Sequence, residues 1–200
     1  MGSELDFPAR MDTSRLIDLA SQWVLEKYPY NSHHLLQSLV WLDRIAPDSP
    51  ESVRLATLTH DMERAFPGPD QPSMKDFNDH DYYVAHSDRS ARFVCAWLRE
   101  QAADEALVVD VEALIRAHEV GGWPEANLVQ AADSLSFLET NIDLFLGMVE
   151  SGKRSADEVR EKFDFSYDRI QVPHAKVIAL PLYERAKERL ERLKGERVKE

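Results

Sequence analysis

Apolar residues recur every three or four positions through most of the chain, and no segment alternates apolar and polar residues with period two. The first such stretch places Leu16, Ala20 and Val24 on one helical face, and a later stretch aligns Leu107 with Val111. A period near 3.6 predicts amphipathic helices, whereas a half-buried strand needs the missing period of two. The chain is therefore predicted to be all-α.

Prolines, glycines and capping residues divide the chain into separate helices. They predict a third helix that begins at Asp48, Ser49 or Ser52 and runs to His60, and a second helix that Ser32 caps. Pro181 divides two C-terminal helices or kinks one. With 200 residues and neither an internal repeat nor a linker, residues 1–200 are predicted to form one domain, a helical bundle. The second helix is expected over about 33–45. Helices besides the second and third are expected over about 14–27, 82–101, 105–119, 124–149, 155–163 and 182–194.

The charge balance restricts the partners of the protein. Thirty-six acidic and twenty-four basic residues give a formal charge of −12, which repels nucleic-acid phosphates and anionic membrane surfaces. We therefore expect neither nucleic acid nor membrane as a partner, and a small anionic substrate would have to be met by metal ions or a few arginines. No apolar run reaches 18 residues, no signal-peptide pattern opens the chain, and the lone Cys95 cannot form a disulfide within it. These features predict a cytoplasmic protein.

One apolar helical run, residues 55–66, carries a His-Asp dipeptide. Such a pair arises by chance in many chains and means little alone, but other predicted helices also carry an inward-facing His or Asp. Four imidazoles and two carboxylates suit two divalent transition-metal ions, such as Fe, Mn, Co or Zn, better than Mg²⁺. The predicted metal ligands are His34, His60, Asp61, His86, His118 and Asp133.

Each ligand candidate also has a simpler interpretation. A single histidine on an apolar face is more often a core residue that is hydrogen-bonded to a carbonyl group. His33 is an alternative to His34, although the small, inward Ser38 four residues further on favours His34. Asp133 lies among small and apolar residues and needs a partner. The simpler interpretation weakens because all the candidates fall on the inner faces of five helices, which is how bundles build metal sites.

In chain order these residues read H…HD…H…H…D, and over about residues 34–133 the chain resembles the HD-domain superfamily of metal-dependent phosphohydrolases. The resemblance implies an HD-type bundle with a motif core at about 32–145, on which C-terminal helices over 155–195 pack. Mononuclear members keep only the first histidine, the naming pair and the last aspartate. A chain with all the ligands therefore resembles the binuclear branch.

The resemblance also implies an activity. The chain is similar to hydrolases that act on small phosphorylated metabolites or nucleotides. By this resemblance, two metals bridged by Asp61 would lower the pKa of a water molecule and bind the phosphoryl oxygens of a substrate. A subset of binuclear members instead uses a mixed-valent diiron centre and O₂ to cleave a C–C or C–P bond, and Tyr28 and Tyr30 keep that alternative open. A non-catalytic binding domain is a third interpretation, against which the complete ligand set argues. Exposed Trp or Tyr residues could support a homodimer.

The residues after the His-Asp pair depart from the family pattern. Many members read His-Asp-x-Gly-Lys, with a lysine that reaches a substrate oxyanion, whereas this chain continues Met62-Glu63-Arg64. Arg64 keeps the positive charge and can clamp phosphate with its forked guanidinium. Glu63 could be a general base, a partner of His60 or a solvated residue. Together with Asp61, Arg64 and Glu63 are the predicted catalytic residues.

Two further features bear on a substrate. Residues 66–79 are rich in proline, glycine and aspartate and follow the pair directly, so they form either an active-site lid or an ordinary surface loop. Arg169 and Lys176 could close over an anion, or they could form salt bridges at the surface.

Overall fold

Helices account for all the regular structure in the part of the chain that the computed structural model describes, residues 13–77 and 79–197. The prediction of an all-α fold is confirmed. A short 3₁₀ helix, Met62–Ala65, follows the third α-helix. The α-helices are α1 Thr13–Lys27, α2 Ser32–Ile45, α3 Glu51–Thr59, α4 His80–Glu100, α5 Glu105–Ala117, α6 Pro124–Thr140, α7 Ile142–Glu150, α8 Ala156–Asp168 and α9 Pro173–Arg197.

The short helix α3 lies at the centre of the bundle. It packs against α1, α2, α5 and α6, and its Leu55, Ala56 and Leu58 are completely buried. Burial of one leucine side chain contributes roughly 1.5–3 kcal/mol, so these contacts hold α3 firmly in the core. The residues that directly follow α3, His60 and Asp61, are thereby kept in the interior.

Two helix pairs form most of the bundle around α3, α2 packed against α6 and α4 packed against α5. The C-terminal helices α8 and α9 pack on α6 and on each other. Ser155 and Glu158 form the predicted capping box at the start of α8, although α8 continues to Asp168, beyond its expected end. Among the described helices, none has the length and apolar composition that crossing a membrane requires.

The tight turn after α5 requires glycine at one position. Gly121 has a φ of +70°, and a Cβ atom there would lie 2.3 Å from Asn127 Oδ1 and 2.7 Å from Gln171 Nε2. Both the backbone conformation and the crowding disfavour any larger residue. The turn closes directly behind His118 and Glu119 and allows α6 to return across the bundle.

Some predicted helix boundaries are wrong. The single helix expected over 124–149 is two helices, α6 and α7, which meet at Asn141. Thr140 Oγ1 donates a hydrogen bond to the carbonyl of Ser136 at 2.8 Å, and such side-chain bonds compete with regular helix geometry. Apolar residues continue through the break, so their periodicity could not reveal it. Ser32 is the first residue of α2 rather than its cap, which is Asn31.

Pro181 lies inside one continuous helix, α9. A proline in a helix interior removes a backbone hydrogen bond and costs about 3 kcal/mol. A buried stripe of Ala175, Ala179, Ala186 and Leu190 continues on both sides of it. The packing of α9 on α6 and α8 therefore offsets the loss and keeps the helix in one piece.

Candidate metal centre

Five elements deliver the predicted ligands to one place. His34 lies in the first turn of α2, His86 in the second turn of α4 and Asp133 in the middle of α6, while His60 and His118 directly follow α3 and α5. The imidazoles are at most 2% exposed. His33, the alternative to His34, is exposed.

The imidazole rings form a continuous row. The centroid distances are 5.5 Å from His34 to His60, 5.0 Å from His60 to His118, and 5.4 Å from His118 to His86. Three groups of ligand atoms within this row lie close enough together to hold a metal ion. These groups are His34, His60 and Asp133; His60, Asp61 and His118; and His86, His118 and Glu119.

Every one of these imidazoles is oriented by a hydrogen bond at Nδ1. An oxygen atom accepts each bond, so the ring proton belongs on Nδ1 and the lone pair on Nε2. Ser136 Oγ can act as an acceptor for His34 because its own proton goes to the carbonyl of His34 at 2.7 Å. The pairs are His34 with Ser136 Oγ at 3.0 Å, His60 with the Thr57 carbonyl at 2.9 Å, His86 with Glu63 Oε1 at 3.0 Å, and His118 with the Ile115 carbonyl at 2.7 Å.

The Nε2 atoms test whether metal ions fit this site. Those of His60, His86 and His118 are buried and form no regular hydrogen bond with a described residue, although a carboxylate oxygen lies 2.9 to 3.6 Å from each. Leaving a buried polar atom unsatisfied costs roughly 1–3 kcal/mol, and a bound cation would satisfy both these nitrogen lone pairs and the carboxylates that face them. Neutral imidazole nitrogens together with carboxylates are the donors that first-row transition metals prefer. These residues therefore could hold metal ions.

The aspartates lie between the imidazoles. Asp61 Oδ1 is 2.9 Å from His86 Nε2, and Asp133 Oδ1 is 3.2 Å from His34 Nε2 and 3.4 Å from His60 Nε2. Burial alone would raise the pKa of Asp61, but Arg64 and His86 hold it well below its usual value. Burial likewise lowers the pKa of His60, but Asp133 and Asp61 raise it to about 9. Without a metal ion, the carboxylates thus favour a proton on His60 Nε2, and a bound metal ion would take the place of that proton.

Glu63 does not occupy the solvated position that was one of its expected alternatives. It is 1% exposed and accepts the Nδ1 proton of His86, whereas the Nδ1 proton of His60 goes to the carbonyl of Thr57. Its other oxygen, Oε2, accepts from Arg89 Nη1 at 2.8 Å. Glu63 is therefore held behind His86, where a carboxylate fixes the ring and raises its basicity.

Glu119 is a part of the site that sequence reasoning did not find, and its partner Arg169 has a different role from those expected. Arg169, at the end of α8, forms ion pairs with both Asp133 and Glu119 and donates from Nε to Ser134 Oγ at 2.8 Å. Arg169 is buried, so it does not form the surface salt bridge that was one of its expected alternatives. Glu119 Oε1 is 3.6 Å from His118 Nε2. In the sequence, only the position of Glu119 next to His118 indicated that it could belong to the site.

Lys176, the other residue that was expected to close over an anion, does not belong to this group of residues. Its Nζ donates a hydrogen bond to the carbonyl of Asp168 at 3.0 Å. By contrast, Arg64 belongs to the site: its Nε is 3.3 Å from Asp61 Oδ2, and its side chain is 35% exposed. Arg64 thus lies beside a ligand carboxylate, with part of its side chain exposed.

A pocket of about 620 Å³ opens over the ligands. Its lining includes His34, Asp61 and Asp133 as well as several apolar and aromatic side chains. Part of the lining comes from the loop over 66–79, which contributes Gln71, Pro72, Met74 and Phe77. The loop is fastened at its start by Arg89, which donates to the carbonyl of Phe66 at 2.6 Å, and at its end by Asp79, which caps α4.

In comparisons with known proteins, no family model matches this chain, and neither a curated protein nor a solved structure matches it. The helical fold and its buried groups of histidine and carboxylate residues are compatible with an HD-type fold.

Proposed function

We propose that this protein is an HD-type, metal-dependent phosphohydrolase that acts on a small phosphorylated metabolite or nucleotide. One observation carries the proposal: oriented, buried imidazoles converge with Asp61 and Asp133 at a pocket that Arg64 also lines. Divalent transition-metal ions held there would polarise a phosphoryl oxygen and lower the pKa of a water molecule.

The side chains of the chain itself have distinct roles in this proposal. His34, His60 and Asp133 would hold one ion, and His86 and His118 a second, with Asp61 shared because it contacts His86 and belongs to a group with His60 and His118. Arg64 would bind the phosphoryl oxygens through its forked guanidinium, since its charge is partly exposed in the pocket.

An HD-type diiron oxygenase is the alternative, because it would use the same ligands. The pocket tyrosines favour it: Tyr28 and Tyr30 line the pocket with His34 and Asp61. Tyr30 already donates its hydroxyl proton to the Arg64 carbonyl at 2.6 Å, which leaves Tyr28 as the candidate to contact a ligand. Arg64 favours the hydrolase, since a phosphate clamp is expected at its position.

Metal analysis tests the site. The purified protein should contain about two transition-metal ions per chain. His86→Ala and His118→Ala should each lose one ion preferentially, and Asp61→Ala should lose both if it is shared. His33→Ala is the matched control, because His33 is the exposed neighbour of His34 and should leave the metal content unchanged. A metal-free protein that cannot be reconstituted with Mn, Fe, Co or Zn would rule out the proposal.

Turnover distinguishes the two activities. A panel of nucleotides, sugar phosphates and phosphonates should be tested with Mn²⁺ in the absence of air, and again with Fe²⁺ in air. A hydrolytic site needs no change of metal valence, so phosphate release without O₂ supports the hydrolase. Activity only with iron and air, accompanied by O₂ uptake, would establish the oxygenase instead.

A further inference from the structure

Lys162 of α8 lines the same pocket and is surrounded by aromatic rings. Its Nζ lies 5.0 Å from the ring centroid of Phe165, 5.4 Å from that of Phe137 and 5.5 Å from that of Tyr83. Within the described part of the chain, no residue forms an ion pair or a hydrogen bond with this Nζ. Lys162 is therefore a cation in a pocket with ring contacts but no counter-ion.

The other partly or fully buried cations of the pocket differ from Lys162 in this respect. Arg169 is paired with Asp133 and Glu119, Arg64 with Asp61, and Arg154 with Glu158. Burial lowers the pKa of Lys162 to about 8, and the charge of Glu119 opposes this only in part. Ring faces attract a cation but replace its lost hydration incompletely. Binding of an anionic ligand group at Lys162 Nζ would therefore be favourable.

Two more cations line the pocket close to Lys162 in sequence. They are Lys153 and Arg154, and the guanidinium of Arg154 lies 5.0 Å from the Phe77 ring centroid. A row of rings joins Arg154 to Lys162, with centroid distances of 5.7 Å from Phe77 to Phe145 and 5.1 Å from Phe145 to Phe137. These cations belong to α8 and the loop before it, whereas the metal ligands belong to elements from α2 to α6. The pocket thus has a second group of cations, which comes from a different part of the chain than Arg64 and is bordered by aromatic side chains, although the charges of Arg64 and Arg169 also act on Lys162.

We infer that Lys162 binds a second anionic group of the substrate, one that does not react. The substrate would then be a phosphate ester whose partly apolar body carries a further carboxylate or phosphate. The aromatic row accounts for the apolar body, and the volume of the pocket is within the range that accommodates such small molecules. This inference rests on the proposed function, because the first anionic group is the phosphoryl group at the metal ligands.

Matched phosphonates provide the test. Binding of unbranched alkylphosphonates and of the ω-carboxyalkylphosphonates of the same carbon number is measured by calorimetry on the metal-loaded protein, over a series of chain lengths. In the wild-type protein the carboxylated probe of the best length should bind about tenfold more tightly than its partner, the usual scale for a charged hydrogen bond. In Lys162→Met this ratio should fall to about one.

Lys176→Met is the control, because Lys176 also lies over a tyrosine ring, at 5.0 Å from the Tyr167 centroid, but does not line the pocket. It should keep the wild-type ratio. Methionine suits the aromatic surroundings of Lys162, and Lys162→Gln provides a second neutral variant if the first does not fold. Each variant is checked for helical content and metal content before use.

Each remaining outcome has a definite meaning. A ratio near one at every length in the wild type, or a ratio that survives in both Lys162 variants, overturns the inference. Equal weakening of both probes in Lys162→Met would assign this residue to the reacting phosphonate group and would also overturn it. If inorganic phosphate and all phosphonates fail to bind the metal-loaded wild type, the proposed function itself has failed, and the inference with it.

Discussion

Glu63 is the carboxylate that holds His86 in place. In Glu63→Gln the side chain keeps its shape but loses the charge that His86 Nδ1 and Arg89 share. Removal of a carboxylate partner of a ligand histidine lowers metal affinity roughly 10–100-fold. We expect this loss for the ion held by His86, measured by competition with a chromophoric chelator.

A second carboxylate provides the control for this prediction. Asp70 also pairs with Arg89, but it is half exposed and does not contact His86. Asp70→Asn should therefore leave metal affinity almost unchanged. If the two variants behaved alike, the effect of Glu63 would pass through Arg89 rather than through His86.

At the level of elements, Arg169 connects the end of α8 to α6 and to the residues after α5. In the metal-free protein, Arg169→Leu leaves Asp133 and Glu119 buried without their cation, and we expect a loss of roughly 3–5 kcal/mol in the free energy of unfolding. Burial raises the pKa of both carboxyl groups, but Arg169 holds each folded-state pKa below its usual value. This stabilisation is therefore complete above the ordinary carboxyl pKa range and is lost as the pH falls.

Urea unfolding at neutral and acidic pH measures this contribution. Arg160→Leu is the control on the same helix, because Arg160 pairs with Asp164 at the surface and its loss should change stability by less than about 1 kcal/mol. An Arg169 variant as stable as the Arg160 variant would show that α8 is held by apolar packing alone.

For the whole molecule, bound metal ions would join the helices that carry the ligands. A ligand that binds only the folded state stabilises it by roughly 3–4 kcal/mol at a free concentration of 100 to 1,000 times its Kd. Removal of metal by a chelator should therefore lower the Tm by several degrees in thermal unfolding. His33→Ala should show the full shift and His34→Ala a smaller one, and a Tm that stays the same after verified metal removal would contradict the prediction.

Local patterns in the sequence determined the helical fold and the inward positions of the candidate ligands. A residue in a helix points about 100° away from its neighbour, so His34 shares the buried face of Ser38 and Leu42 while His33 is exposed. His60, His118 and Asp133 continue apolar stripes in the same way. The type and direction of these side chains follow from a few neighbouring residues, which is why sequence reasoning could identify them.

Only the tertiary structure decided which polar groups meet across the core. The partnership of Glu63 with His86, the ion pairs of Arg169 with Glu119 and Asp133, and the aromatic surroundings of Lys162 join residues from different helices. Helical periodicity specifies the face on which a residue lies, but not the residue that lies opposite to it. The opposite residue depends on how the helices pack, and packing is determined by the shapes of all the buried side chains together.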